Sequence, residues 1–263
     1  MKANEILIYL SLKYKGQQKD IYNAIKAKEA VHEEEVEKIA APFLDRVITV
    51  IDRDYPDGWK QLRNPSIVSF YEGDRTLLQS SYLRRSVTYV GSRDASGEGK
   101  RIAREMGRGL AKEGVLLISG LARGIDGEVM RGAMEGKGKI IGISGAGIDI
   151  DYPAQNRDIY DYIRKNGLLL SEFPPGVRPH PEFFPQRNRL LAGLGAVIIV
   201  GEAERRSGSL ITANIAIEQG KDIGAIPTSP FKESGTNALI KDGAYLIDEL
   251  EDILALLPKS EKL

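Results

Sequence analysis

From Val87 onward, short apolar runs alternate with longer stretches whose apolar positions recur at helical spacing. The runs lie near 87–90, 115–118, 140–143, 168–171, 197–200, 223–226 and 245–247. They are short, and rich in Val, Ile and Leu, the pattern of strands buried on both faces. Between them the periodicity predicts helices near 97–113, 125–136, 154–166, 186–194, 208–220 and 235–242, with a last one near 249–257. Such alternation predicts an α/β fold, a mostly parallel sheet with helices on both faces. Ligands of these sheets sit at the carboxyl ends of the strands, where the strand order reverses.

The first 86 residues follow other periods. Residues 1–44 read as amphipathic helices, with Ile6, Leu7 and Leu10 on one face, then Ile21, Ala24 and Ile25, then Val36, Ile39 and Ala40. Lys15-Gly16 and Pro42 punctuate them. A small helical domain over 1–44, ahead of a sheet domain over 45–263, is the expected division. The plain reading of this segment is a helical cap. A nucleic-acid-binding hairpin is the sharper one, and Gly16 alone is weak support for its turn. The run EEEVEK at 33–38 reads as a solvated helix face. Val47–Ile51 and Ile67–Tyr71 predict two strands pairing at a sheet edge, with turn chemistry at Tyr55-Pro56-Asp57-Gly58. Trp59, the sole tryptophan, reads as a packing anchor.

Charge narrows the chemistry. The chain has 37 basic and 37 acidic side chains, so a basic coat is absent and any anion site is local. It has no cysteine, which removes disulfides and thiolate metal sites and fits a reducing compartment. His32 and His180 have no metal-ligand spacing. No apolar run nears the roughly 20 residues of a membrane span, and the N-terminus has too short an apolar core for a signal peptide. A cytoplasmic location is expected, with no metal, cofactor or membrane contact.

Four turns at the predicted strand ends share one character. They are Gly91-Ser92-Arg93, Ser119-Gly120-Leu121-Ala122-Arg123-Gly124, Ser144-Gly145-Ala146-Gly147, and the stretch from Gly201 to Ser207-Gly208-Ser209. Glycine turns that open helices expose N–H groups at the positive end of a helix dipole, which attracts anions. Arginines in three of them add fixed positive charge. Taken singly, each glycine is explained by a tight turn; the convergence makes a phosphate site. A fifth segment, Phe183-Phe184-Pro185-Gln186-Arg187-Asn188-Arg189, brings arginine forks for phosphate and aromatics for base stacking. Catalytic motifs are missing: no G-x-x-x-x-G-K-[ST], no G-x-G-x-x-G after a strand, no H-E-x-x-H, and Ser144 fails G-x-S-x-G. Asp126 and Glu128 are explained by a helix dipole.

VGSR at 90–93, SGLARGID at 119–126 and FFPQRNRLLAGL at 183–194 together resemble the DNA-processing protein A (DprA/Smf) family. YPDGWKQLRNPSIVSFYEGD at 55–74, YPAQNRDIY at 152–160, LLLSEFPPG at 168–176, RSGSLITANIAIEQG at 206–220 and SGTNALIKDGA at 234–244 also match, so the likeness covers about residues 45–250. The resemblance implies an extended Rossmann-like domain that binds single-stranded DNA without a cofactor. It implies protection of incoming strands in natural transformation, help in loading RecA, and a homodimer. Its DNA-binding residues fall on Ser92, Arg93, Ser119, Gly120, Arg123, Gly124, Phe184, Arg187, Asn188, Arg189, Ser207, Gly208 and Ser209. Two departures are expected to limit duplex binding: the N-terminal helices lack a clear helix-hairpin-helix signature, and the chain ends without the winged-helix tail of many members. Glu202 and Glu204 beside Arg205 and Arg206 either weaken anion binding at that turn or form its outer face. The competing class is a nucleotide-hydrolysing enzyme of related fold, with Asp126 or Glu172 as acid/base. That reading lacks its P-G-G-x-G-T-x-x-E stretch. A third reading is a scaffold that recruits a protein, with Leu239, Ile240, Ile253 and Leu256 as candidates for a self-interface.

Overall fold

The computed structural model describes residues 2–229 and 233–259. The N-terminal periodicity becomes α1 (Ala3–Lys13), α2 (Gln18–Lys26) and α3 (Glu33–Ala40). Along α3 the acids stay exposed while Val36 and Ala40 are buried, as an amphipathic helix requires. Two details differ from the faces that spacing predicts. Ile25 is 40% exposed, and Ile8 and Tyr9 are buried together with Leu7 and Leu10. The reason is that α1 packs against α2, α3 and the first strands at once, so more than one of its faces is covered.

The next segment adds β1 (Val47–Thr49), α4 (Asp57–Lys60), β2 (Val68–Gly73) and α5 (Ser80–Leu83). β1 pairs antiparallel with β2, and β2 continues antiparallel onto the main sheet. The turn at Pro56-Asp57 starts the one-turn α4 and delivers Trp59 to the interior. Trp59 is fully buried, and its indole N–H donates to the Leu190 carbonyl at 3.0 Å.

The alternating region forms β3 (Ser86–Val90), α6 (Gly97–Lys112), β4 (Leu116–Ser119), α7 (Ile125–Glu135), β5 (Ile140–Ser144), α8 (Arg157–Asn166), β6 (Leu168–Ser171), α9 (Phe183–Leu194), β7 (Val197–Val200), α10 (Gly208–Glu218), β8 (Asp222–Ala225), α11 (Gly235–Lys241), β9 (Tyr245–Leu246) and α12 (Leu250–Ala255). α9 starts three residues earlier than expected. Pro185 lies in its first turn, where a missing N–H costs no helical bond.

The sheet order is β1-β2-β6-β5-β4-β3-β7-β8-β9, with every pair from β6 to β9 parallel. Successive strands after β3 are laid to one side until β6, and then β7 returns to the other side of β3. The strand order therefore reverses between β3 and β7, and a crevice must open at their carboxyl ends. Side chains of β3 alternate between two cores, Val87 and Tyr89 facing one and Val90 the other. Leu239 and Ile253 belong to these cores, at 8% and 0% exposure, so neither is available to a partner surface. No described helix is long and apolar enough to cross a membrane.

Candidate nucleic-acid interface

β4 ends at Ser119, and the chain must then turn into α7 with no room for a side chain at residue 120. A Cβ on Gly120 would stand 2.7 Å from an Asp126 carboxylate oxygen and 2.7 Å from an Arg187 guanidinium nitrogen. Both groups are buried, at 4% and 3% exposure. Asp126 accepts the N–H of Gly91 at 3.2 Å and that of Gly120 at 3.1 Å. Arg187 donates to the carbonyls of Gly120 and Ile143. One carboxylate thus ties the ends of β3 and β4, and one guanidinium ties the ends of β4 and β5. Burial pushes the Asp126 carboxyl above its usual range and the Arg187 guanidinium down to about 10; each charge opposes the other's shift. Arg187 is still a cation at neutral pH.

The same loop holds stored strain. Leu121 is buried at φ +61°, in the left-handed region that costs a side-chain-bearing residue about 1–3 kcal/mol. Asn156 holds it there, donating to the carbonyls of Leu121 at 2.9 Å and Ala122 at 3.0 Å. Gly124, at φ +78°, packs so closely on the first loop that a Cβ would meet the Ser92 carbonyl oxygen at 2.2 Å. The Ile125 N–H donates to that same oxygen at 3.1 Å. The 91–93 and 120–124 turns are therefore one rigid unit.

A cleft of about 410 Å³ opens over this unit at the reversal point. Ser92, Arg93, Phe184, Arg187, Asn188, Ser207, Gly208 and Ser209 all line it. Arg93 is exposed and rests its guanidinium 4.9 Å from the centre of the Phe184 ring. Phe184 also faces Tyr152 at 5.7 Å, whereas Phe183 stacks on Phe173 at 4.1 Å and is spent on packing. The Ser207 hydroxyl caps α10 by accepting the Ser209 N–H at 3.1 Å. Asn188 donates to the Gly208 carbonyl at 3.1 Å and so fixes α9 against that cap. Two residues here escape sequence reasoning. Nothing in YPAQNRDIY singles out Asn156 as the group that holds the strained loop. Thr212, one turn after Ser209, lines the cleft with a buried hydroxyl that has no hydrogen-bond partner among the described residues.

Five of the expected residues stand outside that lining. Arg123 and Gly124 line an adjoining cavity of about 320 Å³ that shares Arg93. Arg123 is exposed and pairs with Asp94 at 3.0 Å. Gly120 is buried beneath the cleft in the Asp126–Arg187 network. Ser119 and Arg189 require correction, because neither side chain reaches the cleft. Ser119 is wholly buried and donates to the Tyr89 carbonyl at 2.7 Å. Arg189 turns to the other side of α9, where it grips Glu172 through two bonds of 2.5 and 2.6 Å and donates to the Asn64 carbonyl. The 144–147 turn is buried, and Gly145 packs against the Phe184 ring, so it supports the aromatic. Glu202 accepts the N–H and hydroxyl of Ser96 at the start of α6; Glu204 is exposed beside the cleft.

The family model described as DNA recombination-mediator protein A matches residues 46–258. The chain is 37% identical over 214 residues to the DNA processing protein DprA of Bacillus subtilis, spanning 81% of this chain and 71% of that one. It is 39% identical over 209 residues to the DNA processing protein DprA of Streptococcus pneumoniae, spanning 79% and 72%. The X-ray structure of DNA processing protein A from Streptococcus pneumoniae superposes with a TM-score of 0.81 at 30% identity, covering 99% of this chain and 100% of that one. DNA processing protein A from Helicobacter pylori, whose structure gives insight into a unique single-stranded DNA binding mode of that protein, superposes with a TM-score of 0.71 at 28% identity, covering 80% of this chain and 94% of that one.

Proposed function

The chain belongs to the DNA recombination-mediator protein A family, and from that premise we propose that its cleft binds single-stranded DNA, shields incoming strands in the cytoplasm during natural transformation, and presents them to RecA. The observation that carries this reading is Arg93 lying over Phe184 at the mouth of a cleft that also contains the N-terminus of α10. Arg93, Ser92 and the Ser207–Ser209 cap meet phosphates; the ring meets a base. Arg123 and Arg93 extend the cationic path into the adjoining cavity. Arg187 acts from below: its Nη1 is engaged by two strand-end carbonyls and its Nε by Asn188, while the guanidinium also lines the cleft floor. Contacts to phosphates and ring faces carry little sequence information, so strands of different sequence bind alike.

The engagement of the candidate acid/base groups favours a binder's site over a hydrolase's. The two alternative acid/base candidates of that reading are both engaged. Asp126 is held by two backbone N–H groups, and Glu172, 2% exposed, lies in the grip of Arg189.

Fluorescence anisotropy with labelled oligo-dT tests the assignment. Stacking on an aromatic is worth about 1–3 kcal/mol per base, so Phe184→Ala is expected to weaken binding about 5- to 150-fold. Unchanged affinity in that variant would remove the cleft from consideration.

A homodimer belongs to the same proposal. α10 leaves Ile211 and Ile217 exposed at 42% and 52% on the side away from the core, and the edge strand β9 leaves Tyr245 and Leu246 about half exposed. Light scattering is expected to give the mass of two chains for the native protein and of one chain for Ile217→Glu. A native protein that runs as one chain ends the dimer reading.

A further inference from the structure

α9 borders two concave sites. Its first turns give Phe184, Pro185, Arg187 and Asn188 to the cleft, but Gln186 and Arg189 to a separate cavity of about 710 Å³. That cavity lies where the start of α2 meets the 63–67 segment, at the junction of the N-terminal helices and the sheet. The two sites are thus separated by the width of one helix, about 10–12 Å with side chains.

The cavity's chemistry is unlike that of an ordinary crevice on a neutral protein. Among the described residues, no acidic side chain lines it. Lys19 and Arg63 are exposed there and make no hydrogen bond or ion pair among the described residues. Arg189 contributes no further free charge, because Glu172 already neutralises it at 2.5 Å. Tyr22 offers its ring at 59% exposure, with Pro65 and Ile67 as apolar wall. Free cations suit a phosphate, an exposed ring suits a base face, and an apolar wall excludes water around it. All the parts for one nucleotide unit are present, on a surface that the cleft does not use.

We propose that this cavity is a second nucleotide subsite for the strand held in the cleft. The strand passes over the N-terminal turn of α9 and sets a nucleotide against Tyr22, with its phosphate between Lys19 and Arg63. The inference rests on the cleft binding single-stranded DNA. It gives the N-terminal helices a direct part in binding and makes affinity depend on strand length beyond what the cleft covers.

The test uses the full chain, anisotropy, and two oligo-dT probes, one of about four nucleotides and one of about sixteen. The variant is Tyr22→Ala with Arg63→Ala, both at exposed positions, with a thermal melt to show that it folds. The long strand is expected to bind about tenfold more weakly, with the log K against log salt slope reduced by about 0.7, while the short strand is unaffected. Tyr22→Phe alone should bind the long strand like the native protein. If the double variant binds the long strand normally while Arg93→Ala weakens both probes, the cleft stands and the second subsite is overturned. If Arg93→Ala also changes nothing, the cleft reading falls and takes this inference with it. A third arm titrates dTMP alone: binding abolished in the double variant, with long-strand affinity unchanged, assigns the cavity to free nucleotides and overturns strand passage.

Discussion

Asp126→Ala is expected to lose about 3–5 kcal/mol of folding stability, the range for breaking a buried charge pair from one side. The carboxylate supplies the acceptors for the Gly91 and Gly120 N–H groups and the only buried negative charge facing Arg187 in the described network. Without it two N–H groups lose their partners, and a buried guanidinium loses the charge that offsets its desolvation. Asp126→Asn keeps one acceptor oxygen and should fall between native and alanine. Gly120→Ala approaches the same point without deleting any polar group. Its methyl is driven to 2.7 Å from both the carboxylate and the guanidinium, so one of them must move. Urea melts read the loss as a lower midpoint at constant slope. A loss below about 1 kcal/mol for Asp126→Ala would show that the strand ends hold themselves without this pair. Because Arg93 and Ser92 ride on the unit that Asp126 ties together, DNA affinity is expected to fall in parallel.

The strands and helices after Val87 are legible in the sequence because each is a short apolar or periodic run bounded by turn residues, and local pattern alone places such elements. Gathering Ser92, Arg93, Phe184, Asn188 and Ser207–Ser209 in one cleft also follows, since all stand at carboxyl ends of strands or at the start of the helices beyond them. The fate of Arg189 does not follow. Its partner Glu172 sits after β6 on another turn, and nothing in either local sequence says that the two will meet. FPQRNR shows two arginines two positions apart, about 200° around a helix, so the period alone sets them on opposite sides; which of the two meets the cleft depends on how α9 is rotated against the sheet. Ser119 is a similar case. A serine at a strand end reads the same whether its hydroxyl faces a ligand or, as here, the Tyr89 carbonyl. Thr212 is hidden for the reverse reason: a mid-helix threonine looks like ordinary packing until a cleft is seen to reach it.

Arg93→Ala is expected to weaken single-strand binding about 10- to 100-fold at low salt. It removes a phosphate partner and also the cation resting on Phe184, so base and backbone contacts suffer together. Arg123→Ala should lose less, because Asp94 at 3.0 Å already satisfies part of its charge. Counterion release gives the second reading. Removing one phosphate-binding cation flattens the dependence of log K on log salt by about 0.7 for a single strand, so the Arg93→Ala, Arg123→Ala double variant should flatten it by about 1.4. The sign reverses at Asp94. That carboxylate lines the cleft and the adjoining cavity alike, and it occupies Arg123. Asp94→Asn lifts a like charge from the path of the backbone and releases a cation toward it, so binding should tighten and the salt slope steepen. Variants that move affinity while leaving the slope untouched would place the phosphates elsewhere. An Asp94→Asn variant that binds more weakly would mean that the strand does not pass between these two loops.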